Sequence, residues 1–136
     1  MRINDFCFIF AAQAGLCGMM LGLAMGISQD FTLAPAHAHL NLLGWVTMAI
    51  YGLYHRGIGR TGGFAGWLQV GSGALGTILM VTGLGVYLAT GNDDIVVFAI
   101  AGSCLVILAM VMFLGLVLTD MLRVRRPSFE MTAQSG

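Results

Sequence analysis

Charge is scarce in this 136-residue chain. Only 9% of residues are Asp, Glu, Lys or Arg, against 58% hydrophobic ones. There is no lysine; the six cations are Arg2, Arg56, Arg60, Arg123, Arg125 and Arg126. A chain so poor in cations has no electrostatic footprint for nucleic acid. The three cysteines, Cys7, Cys17 and Cys104, form no C-x-x-C pair and no C-x-x-C-H attachment signature. That argues against both covalently attached heme and disulfide stapling. A mean hydropathy of +0.90 lies far outside the range of soluble domains.

What is present is apolar and interrupted at regular intervals. Four stretches, at about 6–27, 36–54, 64–89 and 95–119, are long enough to cross a hydrocarbon core that takes about 20 residues. Their boundaries carry helix-start and helix-stop residues: Asn4, Pro35, Thr61-Gly62-Gly63, Asn92-Asp93-Asp94 and Pro127. Arg2 followed by an apolar run resembles a signal peptide. Asp5, the length of the run and a poor cleavage box around Cys17 favour a retained first span instead. The expected fold is all-α: an integral membrane four-helix bundle over 1–126, with a short cytoplasmic tail at 127–136.

Arginine placement sets the expected topology. Basic residues flank the first span, the second loop and the tail, and are missing from the first and third loops. By the positive-inside rule both termini face the cytoplasm, as in a multi-pass protein of a bacterial inner membrane. Twenty glycines, among them Gly18, Gly22 and Gly26 on span one and Gly73, Gly76 and Gly83 on span three, imply closely packed helices.

Two histidines, His37 and His39, sit near the outer start of span two. An imidazole in hydrocarbon is costly without a partner, so it marks a metal, cofactor or proton site. Two residues along an α-helix is roughly 200° of rotation, so the rings face apart and serve separate sites. A zinc or copper site needs three or four convergent ligands. The interiors of the other expected spans offer no histidine, aspartate or glutamate. Heme is favoured, its second axial ligand coming from a methionine, with Met25 and Met80 as candidates within the chain, or from another subunit. His55, beside Arg56 at the cytoplasmic end, is expected to be interfacial or solvated. Trp45 and Tyr51 are candidates to line a cofactor, Asp93 and Asp94 to cap a helix.

The stretch from His37 to Met48, followed by Gly52-Leu53-Tyr54-His55, resembles the tenth helix of heme-copper oxidase subunit I, most closely in the cbb-type oxidase and nitric oxide reductase branch. In that family one H-x-H helix binds two hemes. The resemblance implies His37 at the position of the high-spin heme ligand and His39 at that of the low-spin heme ligand. It covers about twenty residues. Because subunit I has twelve helices in three pseudo-repeats of four, it also implies a homotrimer. The family's copper site has no counterpart, since span three, including Gln69, Ser72 and Thr77, carries no histidine. The expected function is therefore a membrane b-type heme protein, holding heme b between His37 of one copy and His39 of the next. Such a protein would transfer electrons between a donor and an acceptor that the sequence does not name. The alternatives are a cofactor-free membrane assembly or interaction protein, and a small gas- or quinol-linked heme reductase.

Overall fold

A computed structural model describes residues 1–58 and 63–124, which are helical throughout apart from short turns. Helix α1 runs over Ile3–Ser28. Next comes a rod of three joined segments: α2 (Ala34–His39), a π-helical stretch (Leu40–Thr47) and α3 (Met48–Gly57). Helix α4 (Phe64–Thr90) is followed by a 3-10 turn (Asp93–Ile95) and α5 (Val96–Val124). Three of these helices, α1, α4 and α5, are long and apolar enough to cross a membrane. The fourth expected crossing falls on the three-segment rod.

The helix ends follow from local chemistry. The first helix begins before Asn4: Asp5 in its first turn accepts from the Arg2 backbone N–H (3.4 Å) and from Asn4 Nδ2 (2.8 Å), a negative charge placed where the helix dipole favours it. It ends at Gln29, the one non-glycine residue with positive φ (54°) among those described, whose side-chain amide donates to the Gly26 carbonyl at 2.6 Å. Pro35 lies in the first turn of α2, where its missing N–H is no loss. In the third loop the capping residue is Asn92, which accepts from the Asp94 N–H at 3.0 Å. Asp93 and Asp94 occupy the turn that follows. The expected stop at Pro127 and the tail at 127–136 lie outside the described residues, as do Arg60, Arg125 and Arg126.

Helices α4 and α5 form a hairpin that depends on glycine. A Cβ on Gly76 would lie 2.9 Å from the Gly102 carbonyl oxygen, one on Gly83 2.6 Å from the Ala99 nitrogen, and one on Gly102 2.6 Å from the Gly76 oxygen. Each of these contacts is to backbone, which has no rotamer with which to yield. Close backbone approach of this kind holds helices together in lipid, where burying apolar surface gives no advantage.

The larger buried side chains gather at the arginine-bearing end. Ile3, Cys7 and Ala11 of α1 meet Met48 and Tyr51 of α3 and Val70 and Ala74 of α4, ringed by Phe6, Phe10, Trp67 and Phe113. Tyr51 stacks at a tilt on Phe113, with ring centroids 4.7 Å apart. Because α5 continues past 119, Asp120 is on the helix, where it accepts from the Tyr54 hydroxyl at 2.7 Å and clasps α3 to α5.

Replacing Gly102 by leucine is expected to force the α4–α5 hairpin apart. The cost is about 1–3 kcal/mol, the range for overpacking a tight interface. The check is a lowered unfolding midpoint in detergent, with Gly115→Leu, whose Cβ would meet nothing within 4 Å, as the neutral control.

Candidate functional site

The two histidines of the H-x-H pair lie in the single α-helical turn that precedes the π segment. Three side chains of the rod, at four-residue spacing, turn toward α1: His37, Asn41 and Trp45. Each lies against a glycine. A Cβ on Gly22 would come within 2.9 Å of His37 Cε1, one on Gly18 within 2.7 Å of Asn41 Cγ, and one on Gly15 within 3.1 Å of Trp45 Cγ. Glycines 15, 18 and 22 thus form a groove on α1 that receives three large polar or aromatic groups. Of the glycines singled out on this helix, Gly26 takes no part, having nothing within 4 Å of its Cβ direction.

The environments of the two imidazoles differ. The Asn41 amide donates to the His37 carbonyl at 2.9 Å, and its nitrogen lies 3.3 Å from His37 Nδ1 and 3.5 Å from Nε2. A contact shared so evenly between two ring nitrogens is not aligned on one lone pair. The ring is wedged between α1 and Asn41 of its own chain. His39 Nδ1 lies 2.7 Å from the Pro35 carbonyl oxygen. A carbonyl only accepts, so Nδ1 carries the proton and Nε2 keeps its lone pair. A hydrogen bond on one ring nitrogen that leaves the other basic is the arrangement metal-ligating histidines use. The two rings, both half-buried, have different neighbours: His37 lies against α1 and Asn41, and His39 against the Pro35 carbonyl.

The remaining candidates are distributed elsewhere. Met25 is buried in α1, three residues beyond Gly22, while the Met80 backbone lies against Gly102 in the α4–α5 contact. Trp45 is 46% exposed, whereas Tyr51 is only 2% exposed and belongs to the core at the other end. Among the described residues no three of His, Cys, Asp and Glu form a group that could hold a metal ion.

His55 requires a correction. It is 1% exposed rather than solvated, and its Nε2 lies 3.1 Å from Oε1 of the fully buried Gln69. Placement next to Arg56 suggested water. Helical rotation instead turns His55 inward, where Gly66 leaves room for it, with Cε1 at 3.3 Å from that glycine's Cβ direction. The hint in the sequence was Gln69, the one amide side chain on α4.

The loop that leads into the histidine turn is organised by Asp30. Its carboxylate accepts from the Thr32 hydroxyl at 2.6 Å and from the Thr32 N–H at 3.0 Å, and these bonds hold its pKa below the ordinary carboxylate value. Compared with known proteins, the chain matches no family model, no curated protein and no solved structure.

Two outcomes follow. Because the Asp30 pKa is depressed in the folded chain, its contribution to loop order is complete above the unfolded value and is lost as pH falls through the folded one. Thr32→Val is expected to return the Asp30 titration, followed by carboxyl NMR, toward the ordinary value. Gly22→Leu is expected to dislodge the His37 ring, seen as a changed His37 ring signal, and to lower stability by roughly 1–3 kcal/mol.

Proposed function

We propose that this chain is a membrane-embedded b-type heme protein that carries electrons. It would work as a homotrimer in a bacterial inner membrane, with both termini cytoplasmic and heme ligated by His37 and His39 of adjacent subunits. The observation that carries this reading is the His39 ring, whose Nδ1 is committed to the Pro35 carbonyl and so leaves Nε2 as the nitrogen able to accept. Support also comes from the opposite facing of the two rings and from the likeness of 37–48 to the H-x-H helix of heme-copper oxidase subunit I. Bound heme would supply one-electron exchange at iron. The chain's own part is to present a neutral imidazole of fixed tautomer, to place it in an apolar surround, and to bring a second copy alongside. Since His37 is wedged against its own α1, His39 is the one suited to reach a neighbour without displacing a helix contact. Binding through His37 would require its ring to turn out of the Gly22 groove.

One observation favours a second reading. His37 fills a space that Gly22 leaves in its own bundle, and Asn41 contacts it there, which is how a packing histidine behaves. On that reading the chain is a cofactor-free membrane assembly or interaction protein.

Protein expressed with ample heme and purified in detergent is expected to show a Soret band and, after dithionite, the sharpened visible bands of a b-type heme. His39→Ala is expected to lose most of that absorbance. A wild-type protein with no Soret band, together with a His37→Ala/His39→Ala variant of unchanged oligomer and unfolding midpoint, would overturn the heme reading in favour of the second. A bound cofactor stabilises the form that binds it, so its ligands cannot be removed without cost.

A further inference from the structure

Helix α1 is apolar on every side, but one face of it has no counterpart in its own bundle. Ile9, Gln13, Leu16, Met20, Leu23 and Ile27 follow one another at alternating steps of four and three residues. That is the 3.5-residue repeat of a coiled-coil seam, whose side chains stay on one line when helices wind left-handedly about each other. The five apolar members are 55–76% exposed, and Gln13 is exposed with them. Positions 13, 16 and 20 each stand two residues from a glycine of the groove, so the seam lies roughly 200° around the helix from it. It faces away from the rod.

Gln13 sets this face apart. It lies near the middle of the Ile3–Ser28 helix, and among the described residues no hydrogen bond reaches its side chain. Other polar groups of the long helices are bonded within the chain: Ser72, Thr77, Thr82 and Ser103 each donate to a backbone carbonyl four residues back, and Gln69 accepts from His55. An amide in hydrocarbon without a partner is costly, and lipid tails offer it nothing. Helix α5 also exposes apolar side chains, such as Ile107, Val111 and Leu118, yet its hydroxyls at Ser103 and Thr119 return to their own backbone. Lipid satisfies that face and not this one.

The chemistry selects the partner. An amide both donates and accepts, so a second amide complements it. Copies of one chain cross the membrane in the same direction, so a parallel neighbour brings its own Gln13 to the same depth and its own seam to the same line. A single polar residue in an apolar seam fixes that register, because any slip leaves the amides facing hydrocarbon. Ala12 and Ala24, exposed beside the seam, leave room for the backbones to approach. A seam that faces itself closes around a rotation axis along the membrane normal, each amide donating to the next copy and accepting from the last.

We infer that this face of α1 is the surface through which copies of the chain associate in parallel, held in register by hydrogen bonds between their Gln13 amides. The inference goes beyond the heme reading, since the seam joins copies whether or not iron is bound.

The test uses the full chain carrying Cys17→Ser and Cys104→Ser, with Cys7 left in place because it is buried, and one new cysteine at a time, oxidised in native membranes. Leu16→Cys and Met20→Cys are expected to form a disulfide-linked dimer, and Leu108→Cys, exposed on α5, to stay unlinked. Energy transfer between dye-labelled chains diluted in lipid vesicles then gives the strength of association. Gln13→Leu, which removes no hydrogen bond within the chain, is expected to weaken it roughly three- to thirtyfold, the worth of one hydrogen bond between helices in lipid, with helix content unchanged. Monomer at every protein-to-lipid ratio would leave the face to lipid and overturn the inference. So would equal association of Gln13→Leu, or cross-linking at position 108 with none at 16 and 20. The disulfide reports on α1 and the Soret band on the histidines, so either proposal can fail alone.

Discussion

The structure depends on one face of α1 having no side chains. Glycines 15, 18 and 22 leave a groove into which the second rod inserts Trp45, Asn41 and His37; a methyl group on Gly18 or Gly22 would force Asn41 or His37 to shift, and one on Gly15 would sit tight against Trp45. In lipid the hydrophobic effect does not drive helices together, so the match of a bulky face to a bare one replaces it. The same device recurs between α4 and α5, where Gly76, Gly83 and Gly102 let backbone approach backbone. These contacts leave little freedom in how the rod is rotated, and its rotation decides which histidine faces inward.

The π segment bears on this directly. It starts immediately after His39 and ends at Thr47, whose hydroxyl donates to the Leu42 carbonyl at 2.8 Å, five residues back. Wider turns of this kind cluster at functional sites because they re-aim the side chains around them. Here the α-helical turn before the segment points the two imidazoles apart. The segment itself carries Asn41 and Trp45 into the groove, and the α-helical stretch after it delivers Tyr51 and His55 to the core.

The two ends of the molecule accordingly differ. At the histidine-pair end, glycines dominate the helix contacts and both imidazoles are half-buried. At the other end, the aromatic core, the Tyr54–Asp120 clasp and the His55–Gln69 pair form a denser and more polar assembly.

The sequence by itself determined the helical class, the approximate limits of the long helices and the roughly 200° of helical rotation between His37 and His39. All three follow from apolar run length and from the rotation per residue, which are properties of the chain alone. It also marked Pro35 as a helix start, because the constraint is local. Only the tertiary structure decided that Gly15 serves and Gly26 does not, that Asp120 meets Tyr54, and that His55 is buried against Gln69 rather than solvated beside Arg56. It alone decided that the rod changes helical pitch after His39. These outcomes depend on which residues of distant helices stand opposite one another, and hydropathy and spacing along a single helix do not encode that.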